Sequence, residues 1–373
     1  MGESLFYAPG RVEIGGNHTD HQRGCVLAAA INLEARCVAS ANGIDIVRIV
    51  SDGFGEIYVD LTDLEPRKEE AASTAALLRG VAAWFRKNGC HIGGFDGYVT
   101  SDVPIGVGLS SSAAFEVLVG NVFRGLFGAG VTDVDIALAG QYAENDYFGK
   151  PCGLMDQAVS SIGGLMMIDF YDPEKPTVTP IDTDFCDYAM CVVATGGSHA
   201  DLTGDYTAIP AEMKLVAGYF GKADLRSVDV EAFYSSIGKL RHLGDRAVLR
   251  AMHFFEENER VIRQCSALKN GNIPEFLRLV NESGRSSLAY LQNAYSIATP
   301  SSQGLTLALA LCEQVLRGQG AYRIHGGGFA GTVLAFVPTA SIEAFSGQMS
   351  DVFGDGCCHF LKISKKGGRE EVL

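Results

Sequence analysis

No stretch of this sequence gathers lysine and arginine into a run, and 30 basic against 44 acidic side chains leave a net charge of −14 at pH 7. A protein that coats a phosphate backbone needs a basic face that releases counterions, so a general nucleic-acid binder is excluded. Apolar runs of membrane length are also missing: charge or glycine breaks each one well before the roughly 18 residues of a spanning helix. The opening MGESLFYAPGRV lacks the basic start and apolar stretch of a secretory signal, which points to a cytoplasmic protein with no membrane partner. The 10 cysteines form no C-x-x-C pair and no Cys/His cluster at zinc spacing, and read as small apolar core residues. Neither repeats nor low-complexity segments are visible. What is present is core material: 47% of 373 residues are hydrophobic, enough for two domains and against disorder.

Periodicity and punctuation give the organisation. Residues 25–50 alternate short apolar runs around Asn42-Gly43, which predicts a β-hairpin or meander. Ala76, Leu77, Gly80, Val81 and Trp84 recur at helical spacing within 73–88, and a strand follows from Gly93 to Thr100. Phe115, Leu118, Val119, Val122, Phe123 and Leu126 mark one face of a helix that serines cap at its start near Ser110. Strands return at Leu165 to Phe170 and Tyr188 to Thr195, residues 208–293 are mostly helical, and the chain closes strand, helix, strand between Gly331 and Ser364. The order is α+β without regular βαβ alternation. The expected domains are 1–190 and 191–373.

Three glycine-rich segments compete as ligand loops. A Walker A loop is excluded, because every Gly-Lys pair (Gly149-Lys150, Gly221-Lys222, Gly238-Lys239) is followed by Pro, Ala or Leu. Gly326-Gly-Gly-Phe-Ala-Gly331 matches G-x-G-x-x-G but runs into TVLAFV, a strand and not the helix that would hold a pyrophosphate. The third, Pro104-Ile-Gly-Val-Gly-Leu-Ser-Ser-Ser-Ala-Ala114, leads into the best amphipathic helix of the chain. Gly106 and Gly108 permit close backbone approach, and the N–H groups of Ser110, Ser111 and Ser112 face out from a helix start carrying about half a positive charge. Taken alone, the loop admits either a phosphate cradle or a serine-capped turn.

The company it keeps carries a resemblance. Pro9-Gly-Arg-Val-Glu-Ile-Gly-Gly-Asn-His-Thr-Asp20, the loop from Pro104 to Ala114, Cys152-Gly-Leu-Met-Asp-Gln157 and Gly326 to Gly331 resemble, in order and spacing, the motifs of the GHMP small-molecule kinases. The first looks most like the galactokinase signature. The resemblance covers essentially the whole chain and implies a two-domain α+β fold with mixed sheets, ATP and a sugar meeting at the domain interface. It implies ATP-dependent phosphorylation of the C1 hydroxyl of a hexose, foremost galactose, with Mg2+ as cofactor.

Phosphoryl transfer asks the protein for positioning and charge neutralisation. Asp156 falls in the first turn of a helix expected to begin near Gly153, where a carboxylate is stabilised and can accept a hydroxyl proton. The resemblance makes Asp156 the catalytic base and Arg11 the residue steadying the transferring phosphoryl group. It places the nucleotide on Gly106, Gly108, Leu109, Ser110, Ser111 and Ser112, and the metal on Ser111 or Ser112 with Glu144. Sugar contacts carried over are Asn17, His18, Asp20, Gly153 and Tyr206. His18 and His21 read as a hydrogen-bonded turn in preference to a metal site.

Asn17 stands where galactokinases usually carry Glu, and its neutral amide also admits a galacturonate-type substrate. Two further readings stand beside these: a galactose sensor without turnover, against which Ser110 to Ala114 is whole, and a relative acting on mevalonate or homoserine, against which the His18-Thr-Asp20 signature argues.

Overall fold

A computed structural model describes residues 3–53, 55–150, 152–173, 175–197 and 202–372. The chain opens with two long antiparallel strands, β1 (Ser4–Gly15) and β2 (Cys25–Ala41), whose inward faces are almost wholly apolar. A hairpin of β3 (Ile46–Ser51) and β4 (Gly55–Asp60) follows, then α1 (Thr74–Lys87), capped by the Ser73 side chain on the Ala76 N–H. β5 (Phe95–Ser101) leads to α2 (Ser111–Phe127), α3 (Asp133–Tyr142) and α4 (Met155–Ile162), and β6 (Leu165–Asp169) pairs with β7 (Thr177–Ile181).

β8 (Tyr188–Ala194) opens the second half. Five helices follow: α5 (Thr203–Tyr219), α6 (Val230–Ser235), α7 (Ile237–Leu240), the 25-residue α8 (Asp245–Lys269) and α9 (Ile273–Ser286). The chain ends with α10 (Gly304–Leu316), β9 (Ala321–His325), β10 (Thr332–Pro338), α11 (Ile342–Phe353), β11 (Cys358–Leu361) and β12 (Arg369–Val372).

Among the described residues these strands form two layers covered by helices, the larger mixed through its parallel β3–β5 pair and the smaller antiparallel throughout. An eight-stranded sheet runs β12-β1-β2-β5-β3-β4, with β6 and β7 continuing from β2, and a four-stranded sheet runs β11-β8-β10-β9. The expected α+β architecture is what forms. One local expectation is corrected. Asn42-Gly43 does reverse the chain, but β5 inserts between β2 and β3, so β3 makes its hairpin with β4. β8 belongs whole to the second sheet, and β12 returns to pair with β1, so the chain's end completes the first sheet.

The core under the large sheet is built on α2, whose Phe123 meets Phe85 and Phe95 at ring separations of 5.6 and 5.5 Å. Full burial of such side chains stabilises by roughly 1.5–3 kcal/mol each, and here it fixes the helix whose N-terminus faces the cleft. Where β1 leaves the sheet, the carboxylate of fully buried Glu257 on α8 accepts the Gly16 N–H at 3.0 Å and the Ser283 hydroxyl at 2.7 Å, tying the two halves together. Burial alone would raise that carboxyl; Arg260 and neighbouring cations instead hold it down at about 2. None of the helices formed by the described residues is long and apolar enough to cross a membrane.

Candidate active site

The strand β1, the loop before α2 and the start of α4 converge on one ion pair. Arg11 forks onto Asp156, Nε to Oδ1 at 2.7 Å and Nη2 to Oδ2 at 2.8 Å, the two-pronged geometry that makes guanidinium–carboxylate pairs strong and directional. Its remaining prong donates to the Gly108 carbonyl. Gly10 is glycine because a Cβ there would lie 2.8 Å from the Leu109 carbonyl, to which the Arg11 N–H donates at 3.1 Å. Burial would raise the Asp156 carboxyl, but Arg11 and the Ser110 hydroxyl outweigh it and hold it below the usual carboxylate range.

Ser110 shows how the loop differs from an ordinary cap. Its side chain does not bond the helix it precedes; it donates to Asp156 Oδ2 at 2.6 Å. Its φ of 58° is left-handed, a conformation costing a non-glycine residue roughly 1–3 kcal/mol, and this contact is part of what holds it. Gly106 and Gly108 have φ of 78° and 72°, and the buried Leu109 side chain pins the loop to the core, so Leu109 can offer a ligand only its backbone.

Ser111 and Ser112 are the first residues of α2, and of the two it is Ser112 whose Oγ lies 3.4 Å from Glu144 Oε1. Glu144 sits in a π-helical turn after α3, a widening often found at functional sites. Lys150 Nζ is 3.2 Å from the same oxygen, and Gln157 donates to Glu144 Oε2 and to Glu116 Oε2, each at 2.9 Å. Burial, then the Glu144 charge, push the Glu116 carboxyl well above its ordinary value. Glu116 and Gln157 were not nominated by the sequence. A buried amide bridging two carboxyl groups orients Glu144 toward Ser112.

A cleft of about 510 Å³ opens beside Asp156 and brings together Arg11, Asn17, His18, Asp20, Gly153 and Tyr206 from distant parts of the chain. Gly153 is required by its neighbour, because a Cβ would collide with Asp20 Oδ2. His18 Nε2 lies 3.0 Å from the Gly327 carbonyl and its Nδ1 3.3 Å from His21 Nε2, a hydrogen-bonded turn. Tyr206, at the start of α5, packs edge-on to Phe329 at 5.4 Å and donates its hydroxyl to the Gly328 carbonyl at 2.8 Å; burial pushes its phenol up to about 12. Asn17 reaches the cleft wall, but its amide is fully engaged: Nδ2 donates to Glu13 Oε1 at 3.1 Å and to the Gly326 carbonyl at 2.6 Å, while Oδ1 accepts from Asn293 at 2.9 Å.

Asp20 introduces a pH dependence. Burial raises its carboxyl to about 6, partly offset by the His21 N–H, which donates to Oδ1 at 2.9 Å. A carboxyl raised in the native state binds more protons than in the unfolded chain between about pH 4 and 6, so its contribution to stability falls as pH rises through that window. In the sugar-binding role that the resemblance implies, it would accept a substrate hydroxyl and work in the opposite sense: kcat/KM should then fall about tenfold per unit below about pH 6, a limb that Asp20→Asn removes at the cost of affinity. A wild-type profile flat down to about pH 4.5 would place no titrating group at the sugar. Burial lowers the His18 and His21 imidazoles from their ordinary value.

A fold with a glycine–serine loop at a helix start and an Arg–Asp pair at its mouth defines a GHMP-type small-molecule kinase. Residues 71–164 match the GHMP kinases N terminal domain, and residues 2–41 match the galactokinase galactose-binding signature. The chain is 33% identical over 353 residues to a galactokinase of Haemophilus influenzae (strain PittEE), covering 94% of this chain and 89% of that one. It is likewise 33% identical to a galactokinase of Glaesserella parasuis serovar 5 (strain SH0165), covering 92% and 87%. The crystal structure of Lactococcus lactis galactokinase complexed with galactose superposes with a TM-score of 0.84 at 25% identity, over 98% of this chain and 95% of that one. A mevalonate kinase structure, at 14% identity and a TM-score of 0.69, shares the fold. The chain belongs to the galactokinase family and is a sugar kinase.

Proposed function

We propose that this enzyme transfers the γ-phosphoryl group of ATP to the C1 hydroxyl of D-galactose. The observation carrying this reading is the Arg11–Asp156 fork, held between the glycine–serine loop and the sugar-sized cleft. In this reading the C1 hydroxyl donates to Asp156, whose two oxygens are aimed by Arg11 and Ser110. The loop N–H groups from Gly106 to Ser112 receive the phosphates, and Arg11 stabilises charge developing on the transferring group. His18, Asp20, Gly153 and Tyr206 bound the sugar.

The residues also suit magnesium. Ser112 and Glu144 offer adjacent hard oxygens beside the loop, few enough to leave an ion its waters and its phosphate ligands, and Lys150 already places a cation at Glu144. Bound there, Mg2+ would neutralise phosphate charge. Purified enzyme with ATP should phosphorylate galactose at C1, read by phosphorus NMR of the product, in preference to glucose and N-acetylgalactosamine. ATP turnover with none of these sugars would overturn the reading.

A further inference from the structure

The sugar signature does not single out Glu13, yet the fold delivers its carboxylate to the cleft. Arg11 and Glu13 are two apart on β1 and share the face opposite the core residues Val12 and Ile14, and both side chains line the cleft. The strand is pinned there by the Glu13 N–H, which donates to His325 Nε2 at 3.2 Å. Glu13 Oε1 accepts from Arg323 Nη2 at 2.7 Å and from Asn17 Nδ2 at 3.1 Å; among the described residues no donor reaches Oε2. Arg323 is fully buried, and its Nε and Nη1 have no partner among the described residues, so Glu13 is the carboxylate that neutralises it. The Asn17 amide, saturated as described, holds this carboxylate in place and has no capacity left for a ligand. Asp20 lies against Gly153 on the wall next to the Asp156 loop; Glu13 stands with Asn17 against Gly326.

We propose that Glu13 is a specificity-determining residue: with Arg323 behind it and Asn17 beside it, its carboxylate accepts the C6 hydroxyl of the hexose and repels any sugar carrying a carboxylate at C6. This rests on the reading that Asp156 receives the C1 hydroxyl, which puts the other edge of the ring toward Glu13. It also assigns the selectivity that the Asn17 position had suggested in the opposite direction, toward neutral sugars. Two carboxylates about 4 Å apart at an effective dielectric near 20 repel strongly enough for discrimination on the order of 10²- to 10³-fold.

The test measures both turnover and direct calorimetric binding for galactose, 6-deoxygalactose and galacturonate. Wild type should prefer galactose to galacturonate by about 100-fold or more and to 6-deoxygalactose by roughly tenfold or more, the value of a charged hydrogen bond. Replacing both members of the pair, Glu13→Gln with Arg323→Gln, avoids stranding a buried cation. That variant should lose most of both preferences, chiefly through KM with kcat little changed. Glu13→Asp, which keeps the charge, should still reject galacturonate while binding galactose more weakly. A double variant with wild-type preferences overturns the proposal, as does wild type that binds galacturonate as well as galactose, a measurement independent of how any variant folds. Binding that discriminates without turnover would defeat the kinase reading and leave Glu13 supported. Turnover without discrimination would do the reverse.

Discussion

Asp156→Asn is expected to cut kcat at least about 100-fold while leaving ATP affinity within a few-fold of wild type. The substitution keeps the shape of the side chain but removes the negative charge opposite Arg11 and one acceptor oxygen of the fork. Breaking a buried ion pair can cost about 3–5 kcal/mol, but the Asp156 side chain is 25% exposed and Asn still accepts one bond, so the loss of stability should be smaller. A thermal melt alongside the kinetics separates the two effects. The pair also constrains the mechanism. Because Arg11 and Ser110 keep Asp156 ionised below the usual range, it is a weak base, suited to a reaction in which the proton leaves late and the group's main task is to aim the hydroxyl. The acid limb near pH 6 should therefore persist in Asp156→Asn, since it belongs to Asp20. Full activity in this variant would remove Asp156 from the reaction.

What the sequence disclosed was local. Helices α1 and α2 were legible because their apolar positions recur along one face, and Asp156 because it sits a few residues into a helix start. Strand partners were not legible, since a turn signal such as Asn42-Gly43 marks a reversal without naming the neighbour, and β5 supplied that neighbour from far downstream, at Phe95–Ser101. The return of β12 to β1 spans nearly the whole chain and leaves no local trace. The same limit governs the site. Arg11 and Asp156 could be nominated separately, but their pairing needs β1 and α4 in place. Glu13 stood without an assigned role inside the Pro9 to Asp20 motif; alternation with Arg11 two residues earlier was the available signal, and only the fold shows Arg323 behind it. Glu116 and Gln157 gain their roles only when α2 and α4 pack and bury them.

Gly108→Val should weaken ATP binding by on the order of 100-fold or more, because three effects act together at that position. The backbone there has a φ of 72°, and a β-branched residue in the left-handed region is strained by roughly 1–2 kcal/mol. A Cβ would also lie 3.2 Å from His325 Nδ1 and 3.3 Å from Thr332 Oγ1, atoms already bonded to each other at 2.9 Å in a buried pair with little room to give. Relief must come from the loop itself, which would carry the N–H groups of 108 to 112 away from the phosphates. Losing two such charge-assisted bonds, each worth about 1.5–3 kcal/mol, accounts for the expected factor. The Gly108 carbonyl accepts from Arg11, so the same shift should disturb the Arg11–Asp156 fork and lower kcat as well. Gly106→Ala is the contrast: its φ of 78° carries similar strain, but its Cβ would meet no protein atom within 4 Å, and its effect on ATP affinity should be clearly smaller. Titration calorimetry with ATP on both variants reads the difference, with galactose binding as the control for folding. An unchanged ATP affinity in Gly108→Val would place the phosphates somewhere other than this loop.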